Sequence, residues 1–424
     1  MADRPANPTQ VVYPLTSTVP RMPTRPRVYP PQVLGLFLAT IGYFSVAGLS
    51  FPVLPRLVER ELGGSKADIG LVFGLLAVGM LFARPVASVM SDRYGRRPLM
   101  IVGSLIVAVA QIGHMLAADT GHLWVLFAVR VFTGAGSSAM YLALATTATE
   151  LPSPEHRDRV FAAFSTMVLV GFAIGQTSGE WVMQEWGFWS TYLMATGFAL
   201  LTTLVAVTLP ETRPDHVVAA SKMREVFHPV AARVGLVNLM VFTAFMGFNA
   251  FIADYAEEFG MEQVRWLLLL YSGTTVAMRL LQGRVMALFP RRTLVSIAQS
   301  LVIAGVLILA TAGGTGQLYL GAFVFALGLA WNVPLMILIA VDSADEADRS
   351  KVVATVTTFG DIASSAGTLA LGFIAESFGY DGMYFVIGAL VFAGLVLVRS
   401  PFLSGLAGMG RIRAEPVAPA ASRT

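Results

Sequence analysis

The stretch 88–97, SVMSDRYGRR, sets four charges and a glycine between two apolar runs, Ala67 to Met90 and Leu99 to Ala117. Each run has roughly the 20 residues an α-helix needs to cross a bilayer, so the charges between them read as a short turn in water. The same alternation extends along the chain. Ten more runs fit it: Val33 to Leu54, Leu123 to Thr147, Val160 to Met183, Thr191 to Leu209, Leu236 to Tyr255, Leu267 to Leu288, Leu294 to Thr311, Leu318 to Val341, Val352 to Phe373 and Met383 to Val398. Composition agrees, since 55% of the 424 residues are hydrophobic, 13% are charged and the mean hydropathy is +0.69. A soluble chain carries roughly a quarter charged residues. The expected fold is an all-α membrane protein with twelve transmembrane helices. Cysteine is absent, which excludes a disulfide scaffold.

The net charge of +3 would suit nucleic acid, but the placement of the basic residues matters more than their total. The tails and the even-to-odd loops, with their flanking turns, hold 22 of the 29 Lys and Arg, including Arg93, Arg96, Arg97, Lys222, Arg224, Arg291, Arg292, Arg349 and Lys351. The odd-to-even loops hold Arg56, Arg60, Lys66 and Arg265, and three more, Arg84, Arg130 and Arg279, fall inside spans. The positive-inside rule then expects both termini in the cytoplasm, which needs an even number of spans. The expected organisation is a disordered tail (1–32), a first six-helix half (33–209), a polar linker (210–235), a second half (236–399) and a second tail (400–424). Eight prolines and four arginines among the first 31 residues mark that first tail. The halves repeat one another. At an offset of 195, Arg84 falls on Arg279, Arg96 on Arg291 and Arg97 on Arg292; at 192, Glu150 falls on Asp342, Arg157 on Arg349 and Val160 on Val352. A charge inside a span costs about 2.5 to 3.5 kcal/mol to insert, so the pairing of Arg84 with Arg279 is the informative match. Two pseudo-symmetric six-helix halves fit one transporter architecture especially well.

Ser88–Arg97 resembles motif A of the major facilitator superfamily, usually G-x-L-a-D-R-x-G-R-R/K. Asp92, Arg93, Gly95, Arg96 and Arg97 take its charged and glycine positions, while Ser88 replaces its first glycine. Arg130, Gly134 and Gly136 resemble motif B on helix 4, and Glu150 that family's end of helix 4. The resemblance runs from Val33 to Arg399 and is nearest to bacterial drug and metabolite exporters. It departs from them at Gln176, where motif C carries proline, and on helix 1, which has no acidic residue. The resemblance implies a latch of the outward-facing state: Asp92 accepting from the amino end of helix 11, and Arg96 pairing with Glu150. For Arg130 it implies a part in proton coupling, and a structural bond to backbone carbonyls is the rival reading.

Asp361 lies 12 residues past Arg349, about 18 Å into a core about 30 Å thick. Thr358, Asp361, Ser365 and Thr368 share one helix face. Two compatible roles follow: an ion pair with Arg84 or Arg130 that fixes the fold, or a carboxyl that takes up and releases a proton as access alternates. The facilitator fold that the resemblance implies puts helices 3, 6, 9 and 12 outermost against lipid, and their spans hold no Asp, Glu, Lys or Arg. The cavity is then expected among helices 1, 4, 7 and 10, with Tyr43, Tyr141, Asn249, Trp331 and Asn332 as candidate lining residues. Gly171, Gly175 and Gly179 make a smooth face on helix 5, for close packing or for sliding against helix 8.

The sequence has no G-x-x-x-x-G-K-[ST] loop for ATP, no zinc signature, no G-x-S-x-G nucleophile and no metal or cofactor site. Energy must come from a gradient, and a proton supplies about 2.3 kcal/mol per 100 mV and about 1.4 per pH unit. The expected function is not enzymatic. It is secondary active export of a small amphipathic organic molecule, drug or metabolite, by proton-coupled alternating access. The expected partners are that substrate, protons and the lipid bilayer, with no nucleic acid, and the chain is expected to work as a monomer in a bacterial inner membrane. An importer or uniporter of the same fold and a non-transporting receptor or scaffold remain as alternatives.

Overall fold

A computed structural model describes residues 29–213, 228–344, 348–404 and 406. Most of the two expected tails and of the linker, with Lys222 and Arg224, lies outside these residues. The described chain is helical, as apolar runs must be where no water satisfies backbone groups. Among the described residues, nine helical stretches have the length and hydropathy to cross a membrane. Two of them turn sharply at a glycine. Arg157–Thr208 divides at Gly187 (φ 78°) into α5 (157–186) and α6 (188–208), and the final stretch divides at Gly379 (φ 72°) into α11 (349–378) and α12 (380–399). These glycines stand 192 apart, the repeat offset, and both take a left-handed φ that a side chain disfavours.

The other helices are α1 (Pro31–Arg56), α2 (Lys66–Tyr94), α3 (Arg96–Thr120), α4 (Leu123–Glu150), α7 (Pro229–Glu258), α8 (Val264–Leu288), α9 (Arg291–Ala310) and α10 (Thr315–Asp342). All twelve expected spans are thus helical. α1 runs through Pro52 and Pro55 and ends in a π-helical turn, Leu57–Glu61, past the boundary expected at Leu54. A second π-helical turn, Ala363–Gly367, follows Asp361 in α11.

The two six-helix groups meet along α1 with α7, α2 with α11 and α5 with α8. Outward-facing Leu, Val, Ile and Phe side chains of α3, α6, α9 and α12 are exposed, as Leu105, Leu204, Ile297 and Phe392 illustrate, which leaves them for lipid. The glycine face of α5 decides between its two readings. Gly171, Gly175 and Gly179 press on Ile41, Phe44, Ser45 and Leu49 of α1, within the same half, so they form a fixed packing surface and not a sliding surface against α8.

Candidate functional site

We call the end where α1 begins and α2 turns into α3 the basic end, and its opposite the far end. At the basic end, Gly95 separates α2 from α3 with φ 104°, which is why a glycine holds this place. Arg96 lies just after it, nearly buried, and gathers carboxylates. Its guanidinium donates to Glu150 at 3.0 and 3.1 Å, to Asp92 at 3.3 Å and to the Ser91 carbonyl at 2.9 Å. Glu211 caps the α3 amino terminus by accepting from the Arg96 and Arg97 backbone N–H groups, a role with no signal in the pattern of residues. Arg93 lies over the Tyr94 ring. All these groups belong to one half. Asp92 faces Arg96 here, and no bond from Asp92 to α11 occurs among the described residues. The repeat is realised in atoms: Arg291 pairs with Asp342 as Arg96 does with Glu150.

At mid-depth Arg84 Nη1 donates to Asp361 Oδ2 at 2.7 Å, joining α2 to α11 and one half to the other. Arg84 is 39% exposed and Asp361 23%, so the pair is not sealed inside the protein. Tyr141 of α4 is 43% exposed and lies within the electrostatic reach of both. The remaining expected cavity residues are more enclosed. Tyr43 is buried, with its hydroxyl 3.4 Å from the Ser137 carbonyl. Trp331 is half-buried, its Nε1 donating to the Met278 carbonyl at 2.9 Å. Asn332 is buried with neither amide atom bonded. Asn249 is buried too, accepting from Gln176 of α5 at 2.5 Å and donating to the Tyr271 hydroxyl of α8 at 3.1 Å. The motif C position where proline was expected therefore holds an amide that ties the halves together. Arg130 is buried in the first half, donating to the Val72 carbonyl at 3.0 Å with the Phe73 ring 5.7 Å away.

From one turn on the basic side of Asn249 to the far end, the seam is shut. Phe51 and Phe172 of one half meet Phe245 of the other, with ring centres 6.2 and 6.5 Å apart. Above them lies an ion-pair network absent from the sequence reading. Arg56, expected in a loop, is 1% exposed and pairs with buried Glu180 of α5 and, at 2.6 Å, with Glu257 of α7. Arg60 holds the other oxygen of Glu257. The Lys66 backbone N–H donates to Glu376 at 2.8 Å while its ammonium sits 3.7 Å above the Tyr380 ring. Gln184 donates to the Glu262 carbonyl at 2.8 Å, and Arg265 lies 3.5 Å from Glu185. Among the described residues, every hydrogen bond or ion pair between halves lies at Arg84–Asp361 or on the far side of it. Polar contacts thus tie the halves from mid-depth to the far end, and none among the described residues ties them on the basic side of Arg84–Asp361. One readable signal was Glu180, a carboxylate inside an apolar span, whose partner Arg56 lies 124 residues upstream.

The family profile described as Major Facilitator Superfamily matches residues 36–237 and 234–405. Relatives include the multi-drug resistance efflux pump PmrA of Streptococcus pneumoniae, 22% identical over 81% of this chain and 89% of its own length. The multidrug resistance protein MdtL of Klebsiella pneumoniae is 23% identical over 81% of this chain and 88% of its own. Among solved structures, a crystal structure of the nucleoside transporter NupG superposes with a TM-score of 0.72 at 13% identity, covering 87% of this chain and 99% of that one. That likeness speaks for the fold.

Proposed function

The chain belongs to the major facilitator superfamily, as an integral membrane transporter, and on that premise we propose that it exports a small amphipathic organic molecule in exchange for protons. The basic end is cytoplasmic, by the excess of Lys and Arg there, and the membrane is the inner membrane of a bacterium. Similarity to bacterial drug efflux pumps supports export over import.

The observation that carries the reading is the Arg84–Asp361 pair, at mid-depth, across the two halves and not sealed inside the protein. A charge that deep is costly to insert and persists where it has work to do. With the seam shut at the far end and no hydrogen bond or ion pair across it at the basic end among the described residues, a paired, ionised Asp361 describes the state after its proton has left for the cytoplasm. Substrate then enters from the cytoplasm. The halves rock about the α2–α11, α1–α7 and α5–α8 seams, the far-end network breaks, and the Arg96–Glu150 cluster with Asp92 closes the basic end. In that state Asp361 is parted from Arg84 and takes its next proton from outside; once the substrate has left, the cycle returns, the pair with Arg84 forms again and the proton leaves for the cytoplasm. Arg130 holds the shape of the first half through the Val72 carbonyl and keeps a second positive charge near the route.

Proteoliposomes with an acidic lumen test this, with fluorescent amphipathic dyes as probes. The proposal expects accumulation above equilibrium, lost in Asp361→Asn. Equilibration indifferent to the pH gradient makes the protein a uniporter, and no flux for any dye makes it a scaffold. In cells, expression should lower dye accumulation, and a rise means import.

A further inference from the structure

Arg279 has the depth of Arg84 without its partner. It lies 12 residues before Arg291, about 18 Å from the basic end. The repeat that sets Arg279 on Arg84 sets Asp361 on Leu169, so no carboxylate waits opposite. Among the described residues, no acid lies within ion-pair distance of its guanidinium, and its one side-chain bond is Nη1 to Gln282 Oε1 at 3.0 Å. An unpaired cation at this depth calls for a counter-ion that the described chain does not supply.

The helix face carrying Arg279 shows where that counter-ion sits. Tyr271, Thr275, Arg279 and Gln282 follow at spacings of four, four and three, one face of α8. Tyr271 points to the seam between halves, since its hydroxyl accepts from Asn249, which accepts in turn from Gln176 of the other half. Two turns nearer the basic end no hydrogen bond or ion pair joins the halves among the described residues, and there Arg279 is partly exposed between buried Thr275 and Gln282. Trp331 adds an apolar surface there, its indole donating to the carbonyl of Met278, the residue before Arg279. Asp361 is held by Arg84, and Arg130 is buried within the first half against the Val72 carbonyl. The buried acid Glu180 lies behind the aromatic plug and is held by Arg56. The cavity is left with an excess positive charge beside an indole.

We infer that the transported molecule is an organic anion, an aromatic body bearing a carboxylate or sulfonate whose oxygens pair with Arg279 while the ring lies along Trp331. The guanidinium fork suits such an oxoanion, and a cationic substrate would meet repulsion at the same point. The inference rests on the transport reading above and names its substrate class.

The test is equilibrium binding to the purified full-length protein, by calorimetry, of three probes on one scaffold: naphthoate, naphthamide and naphthylmethylammonium. Naphthoate is expected to bind at least about tenfold tighter than naphthamide, the size of one charge-assisted bond. Arg279→Gln should erase the preference and Arg279→Lys should keep most of it. The wild-type comparison stands alone if Arg279→Gln does not fold. Equal or tighter binding of the amide or the ammonium overturns the inference, as does an unchanged preference in folded Arg279→Gln or no binding of any probe. Because binding is read without flux, anion preference with no driven transport overturns the transport reading alone. Driven transport with amide preference overturns this inference alone.

Discussion

At the far end, Arg56 and Arg60 of one half grip Glu257 of the other; at the basic end, Arg96 grips Asp92 and Glu150, all three from the same half. Both ends are rich in charge, yet only the first uses it to close the seam. The difference lies in which side the partners stand on and how dry they are. Arg56 and Glu180 are sealed from water, and Glu257 extends that buried pair across the boundary. Asp92 is 45% exposed and stays with its own half. Charge thus marks both gates, while partner choice and burial decide which gate is shut. A transporter needs that asymmetry to reverse, and the basic-end cluster is already assembled for the opposite state.

The comparison can be broken most severely at Glu180. Glu180→Ala leaves Arg56 buried with half its neutralisation gone, and removing one member of such a pair costs about 3 kcal/mol or more, visible as a large drop in thermal unfolding temperature in detergent. A melt like that of the parent would mean that the pair is not sealed. Next comes the seam itself. Glu257→Gln removes the cross-half grip of Arg56 and Arg60, and losing about 1.4 kcal/mol shifts the closed-to-open ratio about tenfold. The chain has no native cysteine, so a single Thr275→Cys on the Tyr271 face of α8 reports opening through an impermeant maleimide applied from the far side. Labelling should rise about tenfold, and unchanged labelling removes Glu257 from the gate. At the basic end the expectation reverses: Asp92→Asn should change unfolding by less than about 0.5 kcal/mol, as exposed pairs do, while cutting transport severalfold. Normal transport would sink the latch. The smallest effect belongs to the rim, where Lys66→Ala loses a 3.4 Å contact to exposed Glu258 and should cost below about 1 kcal/mol.

What the sequence disclosed follows from cost. Apolar runs of helical length announced the spans because nothing else tolerates lipid, and mid-depth Arg84 and Asp361 stood out because charge there is expensive. Their pairing was within reach of a depth count along two helices. The far-end network was hidden for a geometric reason. Positions 56, 180 and 257 lie on three helices, and no spacing along the chain says that α1, α5 and α7 converge there. The span expected to close at Leu54 also left Arg56 in a loop, whereas α1 runs through Pro52 and Pro55 and carries Arg56 within the helix. Gln176 and Asn249 were each visible as oddities, one for a missing proline and one as a polar group in a span. That they bond to each other needed the fold. The glycines of α5 told of close packing but not of the partner, because smoothness carries no address.

The central claim is that a proton on Asp361 decides which end is open. Spin labels on cysteines replacing Asp158 and Arg284, exposed near the basic ends of α5 and α8, read the gap between halves directly by pulsed dipolar spectroscopy. In alkaline buffer the distance should be long, as in the present structure. In acidic buffer a population with a short distance should grow, and Asp361→Asn should show that population in both buffers. One distance at both pH values in the wild type, or a pH response that survives in Asp361→Asn, would contradict the account.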